Sequence, residues 1–199
     1  MSGPTSLPLK SASKQSWLLA ISLTRWNYAL SIIADATVAL VMLCWAAVTL
    51  QHPRALVPVA VFALLGYTLM EYFWHRFLFH WRHAPRSARE GHGRHHRAPD
   101  ALLALPFFTA IPHAILVWGL AAAAVGTSLG AFFTGVWFLG YVSYSGLHHL
   151  VHAEAVQHPA MQWLRDVHHV HHARPNRNFG VTTPFWDVVF GTWSPPKRG

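Results

Sequence analysis

The chain has 199 residues, 53% of them hydrophobic and only 11% charged, against the roughly 25% usual for soluble domains. That length fits one domain, and the charge deficit excludes an ordinary water-soluble enzyme. The net charge of +8 does not indicate nucleic acid, because fourteen of the fifteen Lys and Arg residues fall in three stretches that a four-span topology gathers on one side of a membrane.

Residues 1–25 read as an N-terminal cytoplasmic tail and interfacial segment, not as a cleaved signal. The stretch before Trp17 is polar and rich in Pro and Ser, and Arg25 interrupts the short apolar run that follows. Residues 26–199 form the membrane domain. A bilayer is crossed by about 20 apolar residues, and four windows qualify. Window 27–50 holds one charge, Asp35; 55–74 holds one, Glu71; 101–125 and 128–147 hold none. Short turns at 51–54 and 126–127 pair the spans into two hairpins. Pro106 and Pro112 predict a third span that is kinked or starts late. In the fourth, Gly130, Gly135 and Gly140 allow close helix packing.

Two segments remain. Residues 75–100 are polar and arginine-rich, and residues 148–193 are rich in His and Trp. The second should contain a helix around 159–172, ended by Arg174-Pro175-Asn176. Only Arg54 lies on the far side, so both termini and both segments are expected in the cytoplasm. The expected fold class is an all-α integral membrane protein: four transmembrane helices in two hairpins, with a cytoplasmic helical cap that holds a histidine-rich dimetal site.

The cap carries the chemistry. The single cysteine, Cys44, rules out a disulfide or a multi-thiolate metal site within the chain, so imidazole must supply the ligands. Ten of the sixteen histidines stand in four blocks: His75 and His80 in HRFLFH; His92, His95 and His96 in HGRHH; His148 and His152 in HHLVH; His168, His171 and His172 in HHVHH. Helix positions i, i+3 and i+4 share a face, so each HxxHH presents three imidazoles together, and His148 shares a face with His152. His75 and His80 would stand about 140° apart on a straight α-helix, which suits them to different ions. Ten nitrogens suit two metals, whereas a structural zinc needs only four ligands. Imidazole accepts Fe, Zn, Cu or Ni and does not choose among them.

His149 and His169 form doublets with His148 and His168 and stay open as alternates. His52, His83, His113 and His158 read as bystanders. Glu71, one helical turn before His75, and Asn178 and Asp187 are candidates for orienting a ligand. Arg82, Arg86, Arg89, Arg94 and Arg97 read as positive-inside charge, with an acyl headgroup or an acidic electron donor as alternative partners. Asp35 receives no role. A membrane metal-binding or transport protein is the competing class, but a transporter would place its ligands at mid-membrane, not at the edge.

The four blocks, in this order around four spans, resemble the fatty acid hydroxylase/sterol desaturase superfamily. The flanks His92-Gly-Arg-His-His-Arg-Ala-Pro-Asp, Leu105-Pro106, Asn178-Phe-Gly-Val, Phe185-Trp-Asp187 and Phe190-Gly-Thr192 are closest to its fatty acid 2-hydroxylase branch. The likeness covers about residues 55–193. It implies a non-haem centre of two iron ions, with zinc as the substitute in purified protein, and O2 as co-substrate. It also implies that the matching histidines divide between two ions, with His75 and His80 on different ones. The substrate would be a lipid acyl chain, hydroxylated at C2. Carotenoid or sterol hydroxylation or desaturation is the alternative within the superfamily. The 25-residue tail is too short for the fused cytochrome b5 domain of some members, so electrons are expected from a separate donor, cytochrome b5-like or a ferredoxin.

Overall fold

The computed structural model describes residues 17–51, 53–99, 102–153 and 157–196, and every regular element among them is helical. The tail before Trp17, His52 and Ala101, the first residue of the third expected span, lie outside the described residues. Helix α1 (Trp17–Ser22) is one short stretch before α2 (Arg25–Thr49). Thr24 caps α2 by accepting the Asn27 N–H at 3.2 Å, which satisfies one of the donors left open at a helix start. The buried Asn27 then reaches across the bundle. Its Nδ2 donates to the Leu105 carbonyl at 3.1 Å, and its Oδ1 accepts the Phe107 N–H at 3.0 Å.

That clasp fixes the approach to the third long helix. A 3-10 turn at Phe107–Thr109 precedes α5 (Ala110–Val125), and Pro112 falls in its first turn, where the missing N–H would have had no partner. Gly126, at φ 85, supplies the left-handed turn into α6 (Thr127–His152).

Helix α6 is the centre of the bundle, packed against α2, α5 and α3 (Leu56–Phe73). A Cβ on Gly135 would sit 2.6 Å from Leu43, and one on Gly140 would sit 2.6 Å from the Tyr67 ring, so these contacts exist only because both residues are glycine. Phe138 fills the centre among Val38, Ala39, Ala110 and Ala114. Outside, the bundle is apolar: Val48 is 83% exposed and Phe62 69%, a surface that lipid can cover and water would not tolerate. Three helices are long and apolar enough to cross a bilayer, Arg25–Thr49, Pro53–Phe79 and Phe107–Val125. The protein is therefore a membrane protein. Helix α6 is as long and carries no Asp, Glu, Lys or Arg, but its Gly, Ser, Thr and Tyr residues lower its hydropathy. A helix wrapped by three others can carry them.

Helix α3 does not stop at the end of its apolar run. It passes into a π-helical turn, Trp74–Phe79. Beyond the ends of α3 and α6 lie α4 (Arg86–Arg97), α7 (Pro159–Ala173, with Pro159 at its tolerant first turn) and the short α8 (Phe185–Val189), which form the cap.

Candidate metal centre

The four histidine blocks converge on two adjacent groups. The first comprises His75, His80, His92, His96 and His171, and the second His95, His152, His168 and His172. In the first, Nε2 atoms stand 3.0 Å apart for His75 and His92, 2.9 Å for His80 and His92, and 3.1 Å for His96 and His171. In the second, the His95–His152 separation is 3.1 Å and the His152–His168 separation 3.0 Å.

The helices deal their histidines out in a pattern that the three-residue spacing alone did not reveal. Helix α4 gives the i, i+4 pair His92 and His96 to the first group and His95 to the second. Helix α7 does the reverse, giving His168 and His172 to the second group and His171 to the first. The π turn that ends α3 supplies His75, the residue after that turn is His80, and the last residue of α6 is His152.

This arrangement corrects the division of His75 and His80 between two ions. Both belong to the first group, with ring centroids 5.2 Å apart. The cause is the π turn. Its i→i+5 hydrogen bonding widens the helix so that residues five apart come round to one side, where a straight α-helix would splay them.

His148 stands beside the second group, 4.5 Å from His95 and 5.0 Å from His168 between ring centroids. Its Nε2 is buried without a hydrogen-bond partner. The second group has four members, and His148 adjoins it. His149 is exposed against Tyr28, and His169 is exposed on α7; neither joins a group. His113 stacks on Trp74 at 5.9 Å, His83 accepts from Arg82, and His158 sits at the α7 N-cap.

The nitrogens are prepared as acceptors. The His75 Nδ1 lies 2.5 Å from the Phe179 carbonyl oxygen, and the His171 Nδ1 lies 2.8 Å from that of Arg177. A carbonyl only accepts, so each Nδ1 carries the proton and each Nε2 presents a bare lone pair to its group. Burial, reinforced by neighbouring imidazoles, pushes His80 down to about 4, and His95 and His172 to about 3. Burial also pulls His171 to about 2. All are neutral at physiological pH, as ligation requires. Converging lone pairs repel one another unless a cation lies between them. A metal 2.0–2.1 Å from each of two nitrogens at a right angle needs them about 2.9 Å apart, which matches the spacing here.

The chain after α7 holds this centre from behind. The buried Asp187 carboxylate accepts the Phe179 N–H (2.8 Å), the Gly180 N–H (2.8 Å) and the Thr192 hydroxyl (2.7 Å). Glu71 does not reach for His75. Its carboxylate accepts from the Val181 N–H at 2.6 Å and from the Thr182 N–H and hydroxyl at 3.0 and 2.5 Å, clamping the same strap onto α3. Asn178, in the left-handed region at φ 51, donates to the carbonyls of Val167 at 3.1 Å and Ser194 at 2.8 Å, which pins α7 beside His168. Sequence reasoning missed Phe179, Arg177, Tyr72 and Thr192. Two of these act through backbone carbonyls, which leave no residue-type signal. Tyr72 accepts from Arg76 at 2.7 Å and meets the Thr192 hydroxyl at 3.0 Å.

A cavity of about 340 Å³ adjoins the histidines. His75, His92, His95, His148 and His152 line it, and it extends among α2, α3, α5 and α6 to Asp35, which the sequence alone left without a role. Much of its wall is apolar, including Leu19, Met70, Trp74 and Leu103.

Residues 60–192 match the profile of the fatty acid hydroxylase family. The chain is 34% identical over 145 residues to the dihydroceramide fatty acyl 2-hydroxylase FAH1 of Arabidopsis thaliana, covering 69% of this chain and 61% of the relative. It is 28% identical over 197 residues to the fatty acid 2-hydroxylase of Homo sapiens, covering 91% and 51%. The chain thus spans roughly half to three-fifths of the length of these relatives. Its fold is similar to a solved structure of full-length scs7p in which only the hydroxylase domain is visible, with a TM-score of 0.70 at 24% identity, covering 90% of this chain and 72% of that one.

Proposed function

The chain belongs to the fatty acid hydroxylase family, and from that premise we propose that it is a membrane-bound, O2-dependent hydroxylase that inserts oxygen at C2 of a lipid acyl chain. One observation carries the reading: two adjoining sets of bare imidazole nitrogens lie beside a largely apolar cavity. Relatives named as 2-hydroxylases of fatty acyl groups support the position.

We assign the first ion to His75, His80, His92, His96 and His171, and the second to His95, His148, His152, His168 and His172. Five nitrogens each exceed the four of a structural zinc and suit iron, with zinc as a substitute after purification. Iron in this pair supplies the activation of O2, with two electrons from a separate donor of cytochrome b5 or ferredoxin type.

The protein's own residues do the rest. The cavity wall takes up the acyl chain and excludes water, which fixes one carbon against the histidines. Phe179 and Arg177 hold His75 and His171 in the ligating tautomer. Glu71, Asn178 and Asp187 are positioning residues that act through the backbone, not on the substrate. The balance is one C–H bond, O2, two electrons and two protons giving an alcohol and water.

We infer four spans, 27–50, 55–74, 101–125 and 128–147, within a membrane domain of residues 26–199. The Lys and Arg bias supports placing both termini and the histidine site in the cytoplasm. Lipid mass spectrometry of cells with and without the gene tests the reaction. The expected product is one added oxygen at C2 of acyl groups, lost when His95 or His171 is replaced by Ala. Oxygen gained only on carotenoids or sterols would overturn the acyl assignment.

A further inference from the structure

The cavity beside the histidines has a polar far end, lined by Asp35, Tyr67 and Tyr141. Asp35 is buried and stands ten residues after Arg25, the first residue of α2. That is a rise of about 15 Å along a membrane-crossing helix, about half the depth of a bilayer core. A carboxyl group at such a depth is costly and marks a functional path.

No cation on the surrounding helices explains it. All residues of α2, α3, α5 and α6 are among those described, and beyond Arg25 these helices carry no Lys or Arg. The hydroxyls next along α2 are spent elsewhere: Tyr28 donates to the Ser145 carbonyl at 3.2 Å, and Ser31 to the Tyr28 carbonyl at 2.9 Å. Tyr67 and Tyr141 differ. Their rings meet edge to face with centroids 5.8 Å apart, and Asp35 is near enough for its charge to act on both. Among the described residues their hydroxyls, like the Asp35 carboxyl, meet no hydrogen-bond partner.

Polar groups that face a cavity within the membrane are satisfied by its occupant or left at a cost. A methyl chain end satisfies none of them. A ketone, ether or ester oxygen only accepts. A hydroxyl donates to the carboxyl and accepts from a phenol at one atom.

The helices also set where on the occupant that hydroxyl stands. From Asp35 back to Tyr28 on α2, and from its partner Ser145 on to His148 on α6, the path covers ten residues, a rise of about 15 Å. An extended chain advances about 1.2 Å per bond, a third of a peptide residue, so the group lies about twelve bonds beyond the reacting carbon.

We propose that Asp35, Tyr67 and Tyr141 seat a hydroxyl on the distal half of the acyl chain, so that the preferred substrate is a chain already hydroxylated far from its carboxyl end. The proposal rests on the hydroxylase reading above and deepens it by naming the class of chain.

The test feeds cells carrying the gene an equimolar pair, palmitic acid and 14-hydroxypalmitic acid, and measures 2-hydroxylation of each after hydrolysis of the total lipid. Supply by the cell cancels when the product ratio is compared between wild type and variants. Asp35→Leu should lower the ratio of hydroxylated to plain probe about tenfold, the worth of one hydrogen bond to a charged group. Tyr141→Phe, which deletes one oxygen and keeps the ring, should lower it severalfold. With 8-hydroxypalmitic acid in place of the 14-hydroxy probe, neither variant should move the ratio. A ratio unchanged by both variants would overturn the seat, as would equal changes for the 8- and 14-hydroxy probes. If Asp35→Leu changes only the preferred length of unsubstituted chains, the carboxyl is a stop for alkyl ends and the seat falls.

Native mass spectrometry of the purified full chain provides an arm independent of turnover. Retention of 14-hydroxypalmitic acid over palmitic acid by the wild type, lost in Asp35→Leu, upholds the seat even if neither probe is oxidised at C2, in which case the hydroxylase reading is what fails. Equal retention of both probes by the wild type overturns the seat and leaves that reading untouched.

Discussion

The Nδ1–H of His75 donates to the carbonyl oxygen of Phe179 across 2.5 Å, a contact that joins the end of the second long helix to a strap 104 residues later. Phe179 is held in turn through its own N–H by Asp187. One residue thus lies between a carboxylate and a candidate ligand, and the carboxylate sets the ligand without touching it.

Asp187→Asn should therefore damage the centre from a distance. The amide presents a donor to one of two backbone N–H groups that now meet carboxylate oxygens, Phe179 or Gly180. An unsatisfied buried pair costs about 1–3 kcal/mol. Metal affinity should fall on the order of tenfold to a hundredfold, as for other partners of metal-bound histidines. Metal analysis of the purified variant against a graded chelator series reads this out; unchanged retention would show that the strap is only a lid.

Gly180→Ala should be more severe. The added Cβ would lie 2.0 Å from the Thr183 carbonyl oxygen, closer than any real contact, and backbone would have to move. Gly180 stands between Phe179 and Val181, whose N–H is gripped by Glu71 at 2.6 Å, so movement on either side breaks a clamp. The expected result is rapid proteolysis after α7 with metal lost, while the long helices α2, α3, α5 and α6 stay protected. Wild-type proteolysis kinetics would refute it.

The histidine doublets give a discriminating set. His148→Ala should weaken metal binding in the second group, because its Nε2 is buried, unpartnered and next to His95. His149→Ala and His169→Ala should leave metal content unchanged, since both rings are exposed and outside the two groups. Metal stoichiometry per chain separates the three variants, and equal losses in all of them would return the choice within each doublet to the open.

Acid should loosen the cap before the bundle. In an unfolded chain these imidazoles titrate near 6.5, whereas burial holds His80 at about 4, His95 at about 3 and His171 at about 2. Between those limits the unfolded state binds more protons than the folded one, so stability rises with pH there. The contribution is complete above about pH 6.5 and is lost as pH falls, by about 1.4 kcal/mol per unit for each deeply buried group. The thermal midpoint of metal-free protein in detergent should be flat from pH 7 to 8 and fall from pH 6.5 downward. A midpoint that rises on acidification would reverse the sign of the argument.

Much of this was legible beforehand because the signals were one-dimensional. Apolar run length pointed to the long helices, and histidine spacing picked out the nine residues that now form two groups, with His148 beside them. The pairing of His75 with His80 was not legible, because a five-residue spacing splays two side chains on a straight α-helix and Trp74–Phe79 is a π turn. Nor was the split of His92 and His96 from His95, since sharing a face does not decide which neighbour each ring meets. The carbonyls of Phe179 and Arg177 carry no residue-type signal at all. Glu71 was singled out for its spacing from His75, yet it works through Val181 and Thr182, a contact across 110 residues that local periodicity cannot anticipate.

Removing the metal should divide the molecule along the same line. Helices α2, α3, α5 and α6 are held by contacts independent of the histidines, such as Phe138 among Val38 and Ala114, and glycine-mediated packing at Gly135 and Gly140. Helices α4 and α7 present their buried faces largely as histidines, and without a cation those faces are a cluster of facing lone pairs. A ligand that binds only the folded state stabilises it by about 2.7 kcal/mol at a hundred times its Kd, and that amount disappears on chelation. Hydrogen exchange after chelation should therefore quicken in Arg86–Arg97 and Pro159–Ala173 while the long helices keep their protection, and re-addition of ferrous iron should restore it. Uniform quickening across α2 and α6 would instead mean that the metal pair holds the whole fold together.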